Sequence, residues 1–295
     1  MGAPGRRCAF LTLSDPADYV IDDDLARRPL AALGWHVEAV PWDREGVRWA
    51  GFDAVVIRSP WDYQDRPDAF LAVLEEIERS GAPLFNGLDL VRWNLRKTYL
   101  RELEAKGVPI VPTVWRDRLR PGDLAAVHAE VGTDEVVVKP VVSANADGAF
   151  WLGRAGEEGL AARCEATFAD RALMAQPFVP AVVEEGEFSL FYFDGAHSHT
   201  ILKTPKPRDF RVQEEHGGLI QAVHAEPALL AAGAAAMRAI GEAPLYARAD
   251  LVRSPAGPFW LMELELIEPA LYFRMHADAP GRFAAALDAR ARPAG

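Results

Sequence analysis

The sequence predicts an α/β protein in which a parallel sheet is followed by units that combine helices with antiparallel strands. Over the first ninety or so residues, apolar strand-like runs alternate with helical patterns, which is typical of βαβ units. Near the C-terminal end, two strand-like runs flank a turn at 253–258, as expected for a hairpin. At 295 residues the chain exceeds what one hydrophobic core usually organises, so two or three packed lobes are expected.

The composition is that of an ordinary globular protein, with 50% hydrophobic and 25% charged residues. A formal net charge of −11 disfavours nucleic acid or an anionic membrane as a partner, so we expect a small-molecule ligand. Cys8 and Cys164 are too few for a disulfide framework or a zinc site, which fits the cytoplasm. We expect neither a signal peptide nor a transmembrane span, and either a monomer or a homodimer.

The first domain is expected to be a βαβαβ unit over residues 1–92. Strands are predicted in the runs RCAFLTL, HVEAV and FDAVVIRSPW. One helix is predicted in DDDLARRPLAALG, which Gly34 would end. A second is predicted in RPDAFLAVLEEIERSG, with Pro67 near its start and Gly81 at its end. The loop SPWDYQDR then follows the carboxyl end of a strand, where open α/β sheets bind ligands.

A second unit is expected over residues 93–178. Asn94 is predicted to cap a helix over LRKTYLRELEAK that Gly107 ends. Lys97 would then lie in the first helical turn, where the helix dipole disfavours a cation unless an anion is near. The apolar run VVV is expected to form a buried strand that ends in Lys139 before the small-residue loop SANADGAF. This composition resembles that of a phosphate cradle, although a lysine at the end of a strand more commonly just extends its amine to solvent.

The third unit is expected over residues 179–295. It begins with an acidic turn and the strand EFSLFYFDG, and a second strand carries Lys203. His197 and His199 alternate on that second strand and could bind a metal, although a position on a surface hairpin is the commoner explanation. An alanine-rich helix from about Pro227 to Ile240 precedes a final hairpin formed by LYARADLV and FWLMELELIEP.

The final hairpin gathers charged residues on one face. In a strand, residues i and i+2 project to the same side, so Glu263 and Glu265 share a face, as do Arg248 and Asp250. Two carboxylates roughly 6.6 Å apart repel each other by on the order of 2.5 kcal/mol at an effective dielectric near 20. A solvated face of an antiparallel strand explains the pair, and so does a site for Mg²⁺, which prefers oxygen ligands.

Four motifs, in their order along the chain, resemble the ATP-grasp superfamily, particularly its glutathione-synthetase-like and D-alanine-ligase-like members. They are NLRKTYLRELEAKGVPIVPT, VVVKP with its small-residue loop, AQPFV with GEFS, and ARADLV with MELELIEP. The resemblance extends from about Asn94 to Phe273, and the residues before it look like a pre-grasp domain. It implies an N-terminal parallel-sheet domain followed by a two-lobed ATP-grasp fold, with ATP and Mg²⁺ or Mn²⁺ as cofactors.

The resemblance also implies a set of nucleotide-binding residues. Two lysines match those that hold the phosphates, the loop 143–148 matches the flap above them, and 176–179 match the segment that contacts adenine. The implied set is Lys97, Lys139, Ser143, Asn145, Gly148, Gln176, Pro177, Phe178, Val179 and, near the ribose, Glu187.

The resemblance further implies that Arg248 stabilises the transferring phosphoryl group and that Asp250, Glu263 and Glu265 bind the metal. The third metal position is often Asn in this superfamily, so the glutamate here adds negative charge. The flap carries one glycine where relatives carry more. Lys203 and Arg211 are candidates for binding a substrate carboxylate or an acyl phosphate, because both are cations and Arg offers a bidentate fork. Either side chain could instead be a surface charge.

RSPWDY, GEFSLFYFDG, LKTPKPRDFRVQ and ELELIEP resemble the branch of the superfamily that contains D-cycloserine synthetase, the O-ureidoserine cyclo-ligase. This implies an ATP- and Mg²⁺-dependent carboxylate–amine ligase that forms an acyl phosphate, releases ADP and phosphate, and cyclises a small amino-acid derivative. Candidate substrate contacts are Arg58, Trp61, Asp62, Tyr63 and Glu268. The open alternatives are ligation to an external amine, as in glutathione synthetase or RimK, a Mg²⁺-dependent phosphohydrolase, and a nucleotide-binding module without turnover.

Overall fold

The computed structural model describes residues 5–17, 19–143, 147–153, 159–207 and 209–292 of the chain. Its strands are β1 (Arg6–Thr12), β2 (Trp35–Pro41), β3 (Ala54–Ser59), β4 (Leu84–Phe85), β5 (Val114–Arg116), β6 (Val136–Pro140), β7 (Phe150–Leu152), β8 (Leu173–Pro177), β9 (Glu187–Phe193), β10 (Ala196–Thr204), β11 (Leu219–Ala222), β12 (Tyr246–Arg253) and β13 (Phe259–Glu265). Its helices are α1 (Arg27–Ala32), α2 (Pro67–Arg79), α3 (Leu88–Asn94), α4 (Tyr99–Ala105), α5 (Asp123–Val131), α6 (Leu160–Thr167), α7 (Ala181–Glu184), α8 (Pro227–Ile240) and α9 (Ala279–Arg290).

The first sheet is parallel, with strand order β2-β1-β3-β4. This confirms the fold class expected for the first ninety residues. Pro67 is the first residue of α2, where its missing N–H leaves no helical hydrogen bond unmade. Gly34 and Gly81 both adopt a positive φ, which lets the chain turn out of a helix and into the next strand.

The second sheet is antiparallel, with strand order β5-β8-β6-β7. The apolar run at 136–138 forms most of β6, as predicted, and Val136 and Val138 are fully buried against α5 and α6. Lys139 follows them near the end of the same strand. The strand therefore places a lysine at the edge of a buried core.

The helix predicted to begin at Asn94 is wrong at its start. Asn94 is the last residue of α3, and the next helix, α4, begins only at Tyr99. The side-chain amide of Asn94 instead donates to the Leu264 carbonyl at 2.8 Å and accepts from the Leu266 N–H at 2.9 Å. Lys97 therefore lies in the turn between the two helices, with its backbone N–H donating to the Val141 carbonyl.

The third sheet is antiparallel, with strand order β11-β10-β9-β12-β13. The predicted final hairpin is present as β12 and β13. The alanine-rich helix α8 spans Pro227–Ile240, as predicted, and packs against both strands of this hairpin. Gly233 of α8 allows this close approach, because a Cβ there would lie 2.2 Å from the Tyr192 hydroxyl.

Helix α9 joins the first and third sheets. Its Phe283 makes edge contacts with Phe10 of β1 at 6.1 Å and Phe193 of β9 at 5.6 Å between ring centroids. The domain boundaries expected at 92 and 178 fall between the three sheets, and we propose them as the limits of the structural units. Among the described residues, no helix combines the length and apolar character required to cross a bilayer.

Candidate active site

Two adjoining cavities lie where the three sheets meet. The first, which we call the carboxylate cavity, is lined by charged side chains from the turn after α3 and from β6, β9, β10, β12 and β13. The second, which we call the apolar cavity, is lined mainly by the end of β8 and the residues that follow it. Both linings include Lys139, Glu187, Gln213 and Met262, so the cavities form one continuous cleft.

Strand register brings the charged residues of the final hairpin together. Asp250 pairs with Glu263 across β12 and β13, and Arg248 pairs with Glu265. All four line the carboxylate cavity, so the face of the hairpin that carries them is turned into the cleft. The solvated-face explanation of the two glutamates is therefore incomplete, because their side chains are only about one-third exposed, at 31% and 29%.

The outer edge of β13 is closed at Leu261 by the backbone of residues 109–111 and, farther along, by side chains. The Asn94 amide bonds two of the backbone groups along this edge, and the Tyr99 hydroxyl accepts a hydrogen bond from the Leu264 N–H at 2.8 Å. Unpaired backbone groups on an edge strand otherwise need water or a partner. These contacts fix the position of the strand that carries Glu263 and Glu265.

Each of the hairpin carboxylates faces a cation. Arg248 pairs with Asp250 at 3.0 Å and also with Glu265. Lys97 pairs with Glu263 and donates to the Ser143 carbonyl at 2.9 Å. Burial opposes the charge on Lys97, but the Glu263 carboxylate outweighs it and raises the pKa of the lysine.

Lys203 lies between two buried acids. Its amine is 3.3 Å from Asp250 and also pairs with Glu187. Ser189 donates a further hydrogen bond to Asp250. Burial alone would raise the pKa of Asp250, but Arg248 and Lys203 lower it to about 2. Asp250 is therefore held as a carboxylate in a fixed orientation.

Lys139 differs from the other cations of the cleft. Among the described residues, no carboxylate lies within ion-pair distance of it, although it lines both cavities. Burial lowers its pKa, and the more distant acids Glu263 and Glu187 only partly offset this effect. A half-buried cation without a partner is unfavourable by itself, so the position is suited to a bound anion.

The three expected metal ligands do not form a preassembled metal centre. In the described part of the chain, no group of three His, Cys, Asp or Glu side chains is arranged to hold a metal ion. The donor chemistry nevertheless fits Mg²⁺, since Asp250, Glu263 and Glu265 offer carboxylate oxygens to one cavity. Burial, with the help of Glu263 and Asp250, raises the pKa of Glu265 to about 7, as expected where carboxylates crowd without enough positive charge.

The loop after β3 supplies the far end of the carboxylate cavity. Trp61, Tyr63 and Gln64 line it together with Glu268. The Trp61 ring N–H donates to the Glu268 backbone carbonyl at 2.8 Å, and the Gln64 amide donates to the Glu268 carboxyl at 3.4 Å. Burial and the neighbouring Glu265 raise the pKa of Glu268 to about 8.

The structure corrects two of the expected substrate contacts. Arg58 is 1% exposed, pairs with Asp23 at 3.0 Å and donates to the Pro269 carbonyl, so its guanidinium is held in the protein interior. Asp62 accepts a hydrogen bond from the Trp42 ring N–H at 2.7 Å. Neither residue lines the cleft. Trp61, Tyr63 and Gln64, which are close to Asp62 in the sequence, do line it.

The apolar cavity contains the four residues expected to contact adenine, Gln176, Pro177, Phe178 and Val179. The Phe178 ring stacks on Trp151 with centroids 4.0 Å apart. Arg211 lines this cavity rather than the carboxylate cavity, and it pairs with Asp209 at 2.9 Å. That position removes the basis for expecting Arg211 at a substrate carboxylate.

Of the expected flap residues that the structure describes, Ser143 lines the carboxylate cavity and Gly148 lines neither cavity. Gly148 has a positive φ and lies close to Pro140, where a Cβ would meet the proline ring at 3.0 Å. Asn145 lies outside the described residues.

Of the two histidines considered for a metal, His199 is 4% exposed and stacks on Phe191 at 4.3 Å.

Several residues of the cleft are absent from the sequence-based set. Ser189 does not itself line the cleft, but it donates a hydrogen bond to Asp250, which does. It lies two residues after Glu187 on β9, so the strand period places both on one face, and this signal was present in GEFS. Gln64 follows Tyr63 directly in the loop after β3. Gln213 and Tyr272 reach the cleft through loops, for which the sequence offers no periodic pattern.

Comparison with known proteins identifies relatives along nearly the whole chain. Residues 8–86 match the family described as D-cycloserine synthetase DcsG, N-terminal domain. The chain is 35% identical over 299 residues to the cycloserine biosynthesis protein DcsG of Streptomyces lavendulae, covering 95% of this chain and 98% of that protein. It is 28% identical over 198 residues to the glutathione synthetase of Ralstonia nicotianae, covering 64% and 57% of the two chains.

Solved structures also match this chain over nearly its whole length. The crystal structure of D-cycloserine synthetase DcsG superposes with a TM-score of 0.82 at 32% identity, covering 97% of this chain and 100% of that one. D-alanine–D-alanine ligase from Bacillus anthracis in complex with ATP gives 0.69 at 14% identity, covering 98% and 97%. The ATP-grasp ligase PsnB, bound to a phosphomimetic minimal precursor, Mg and ADP, gives 0.67 at 18%, covering 98% and 99%. The last two likenesses show the fold.

Proposed function

The chain belongs to the family of the D-cycloserine synthetase DcsG within the ATP-grasp ligases and is an ATP-dependent ligase; we propose that it joins a carboxylate to a nitrogen nucleophile through an acyl phosphate. ATP phosphorylates the carboxylate, the nitrogen attacks the acyl carbon, and phosphate leaves, so that ADP and phosphate are the products. The observation that carries this proposal is the adjoining pair of cavities, one apolar and one charged. Between them lies Lys139, which pairs with no carboxylate among the described residues.

The two cavities fit the two ends of a nucleotide. The apolar cavity would hold adenine against Gln176, Pro177, Phe178 and Val179, and Lys139 would bind the phosphates at the junction. Lys97 would add a second cation, since its amine already faces the carboxylate cavity. A protein of the same fold, D-alanine–D-alanine ligase from Bacillus anthracis, is known in complex with ATP, which supports ATP as the ligand.

Mg²⁺ would be held by Asp250, Glu263 and Glu265, whose oxygens supply hard ligands in one cavity. When bound, the metal neutralises charge on phosphate oxygens during phosphoryl transfer. Glu263 and Glu265 would exchange their present cation partners for the metal. Arg248 and Lys97, released from these pairs, would then face the transferring phosphoryl group.

We assign Lys203 a positioning role rather than a direct contact with substrate. It is 3% exposed and is held between Glu187 and Asp250. Because its charge is balanced by these two acids, it fixes the orientation of Asp250 as a metal ligand. Lys139 and Arg248 remain the cations that take up charge developing in the transfer.

The substrate would occupy the far end of the carboxylate cavity. Trp61 and Tyr63 would exclude water from the acyl phosphate, and Glu268 would bind an α-ammonium group. A small amino-acid derivative that carries both the carboxylate and the nucleophile fits this end. Cyclisation within one molecule is favoured because a tethered nucleophile gains effective molarity without a second binding site.

The test uses O-ureidoserine as the sole organic substrate with ATP and Mg²⁺, following ADP release and the mass of the product. We expect substrate-dependent ADP release and a cyclised product. Glu263→Gln should abolish turnover, while the exposed Glu242→Gln is the matched control and should retain it. Glu263→Gln also removes the ion-pair partner of Lys97, so thermal unfolding should show that this variant is still folded at the assay temperature.

Each alternative gives a different result in the same assay. Turnover that requires an added amine would replace cyclisation by intermolecular ligation. Phosphate release without any carboxylate substrate would indicate a phosphohydrolase. A nucleotide-dependent rise in melting temperature without ADP release from O-ureidoserine or a panel of amino acids would indicate a binding module.

A further inference from the structure

Gln213 carries an unsatisfied acceptor at the junction of the two cavities. It lines both, together with Lys139, Glu187 and Met262. Its side-chain Oε1 is buried and accepts no hydrogen bond from any described residue. A buried amide oxygen without a donor is unfavourable, so this arrangement is expected where a ligand supplies the donor.

The backbone around Gln213 is fixed before any ligand binds. Its carbonyl accepts hydrogen bonds from the N–H groups of His216 and Gly218, both at 3.0 Å. Gly218 permits this tight turn, since a Cβ at that position would lie 2.0 Å from the Val212 carbonyl oxygen. The side chain of Gln213 therefore extends into the cleft from a short, hydrogen-bonded turn.

The chemistry of the junction indicates which part of a ligand reaches Gln213. If adenine lies in the apolar cavity and the phosphates lie at Lys139, the ribose lies between them, and its hydroxyl groups are hydrogen-bond donors. The other acceptor at the junction, Glu187, is already paired with Lys203. Gln213 is thus an acceptor at this point that still requires a donor.

We propose that the Gln213 amide oxygen accepts a hydrogen bond from a ribose hydroxyl of ATP and makes the enzyme selective for ribonucleotides. This inference rests on the proposed function for the placement of the nucleotide. It adds a specificity-determining residue on the loop before β11, and it predicts that the enzyme discriminates ATP from a deoxynucleotide at the step of binding.

The test compares the equilibrium binding of Mg-ATP, Mg-2′-deoxy-ATP and Mg-3′-deoxy-ATP by calorimetry, without carboxylate substrate. The proteins are the wild type, Gln213→Leu and the control Gln221→Leu, whose glutamine is exposed on β11. In the wild type, the analogue lacking the bonded hydroxyl should bind about 3- to 10-fold more weakly than ATP. Gln213→Leu should bind ATP as weakly as that analogue and should no longer discriminate, whereas the control should behave as the wild type.

Three results would overturn the inference. The wild type could bind all three nucleotides equally, Gln213→Leu could bind ATP as tightly as the wild type does, or it could weaken ATP and both analogues by one common factor. In each case ATP still binds, so the proposed function survives. Failure of all three nucleotides to bind the wild type would instead overturn the proposed function together with this inference. Thermal unfolding shows whether Gln213→Leu is folded.

Discussion

At the scale of single residues, the cations of the cleft differ in whether they have a partner. Lys203 is balanced by Glu187 and Asp250, whereas no described carboxylate pairs with Lys139. A buried ion pair that loses one member leaves an uncompensated charge. Removal of a cation that has no partner leaves no uncompensated charge behind. Two lysines in one cavity should therefore respond to substitution in opposite ways.

Lys139→Met should leave the melting temperature of the free protein unchanged or raised, because a half-buried charge without a partner is lost. The same substitution should weaken Mg-ATP binding about 10-fold or more, because a phosphate-binding cation is lost. Lys203→Met is the matched comparison and should lower stability by about 3–5 kcal/mol. Thermal unfolding and calorimetry of both variants check this. A Lys139→Met protein that melts well below the wild type and binds ATP normally would show that Lys139 is structural.

Glu268 should make the stability of the ligand-free protein depend on pH. Its pKa is raised by burial from an ordinary value near 4.5 to about 8, so the folded protein holds a proton that the unfolded chain has lost. Between these values stability falls as pH rises, since the unfolded state binds fewer protons. Glu268→Gln removes this group, so its melting temperature relative to the wild type should increase from pH 5 to pH 9. A difference that stays constant across this range would contradict the buried, proton-holding carboxyl.

At the scale of elements, the backbone groups at the end of β13 bond to side chains in place of a neighbouring strand. Asn94 bonds the Leu264 carbonyl and the Leu266 N–H, and it is 8% exposed. Asn94→Ala leaves both backbone groups without their partner, which should cost about 2–4 kcal/mol.

Arg96 is exposed two residues away, so Arg96→Ala is the control and should change stability by less than about 0.5 kcal/mol. Chemical denaturation of both variants measures the difference. Equal stability of the two variants would mean that water or backbone movement satisfies the edge of β13 without Asn94.

The same element shows where local sequence patterns fail. Asn94 followed by helix-forming residues favours an N-cap, and nothing in the local sequence reveals an edge strand 170 residues later that binds the same amide. In contrast, α2 and α8 are found as predicted because their starts at Pro67 and Pro227 and their ends at glycine are local signals. Helices defined by local signals were predictable, and the segment defined by a distant partner was not.

At the scale of the whole molecule, the sequence was a better guide to which residues come together than to the partners that each one binds. Strand period and hairpin order placed Arg248, Asp250, Glu263 and Glu265 on one face, and their register confirms this arrangement. The buried position of Arg58 was not predictable, since a cation near the carboxyl end of a strand is equally suited to a ligand or to a buried acid. Asp23, its partner, comes from another part of the first domain.

The cleft itself arises from the packing of the three sheets. Gln213 and Tyr272 enter it through loops that carry no periodic signal, so their positions follow only from the assembled fold. The family resemblance supplied the roles of the lysines and carboxylates, but it did not supply the orphaned oxygen of Gln213. That feature is visible only in the folded structure, because the surroundings of a residue decide whether its hydrogen bonds are made.

Transfer of a carboxylate oxygen to phosphate tests most directly whether ATP phosphorylates the substrate carboxylate. O-Ureidoserine labelled with ¹⁸O in its carboxylate should react with Mg-ATP to give ADP and phosphate, with one labelled oxygen in each phosphate, because the oxygen that attacks the γ-phosphorus leaves with it. Mass spectrometry of the phosphate measures this transfer. Label recovered in AMP, or phosphate released without label, would contradict an acyl phosphate and with it the function proposed for this cleft.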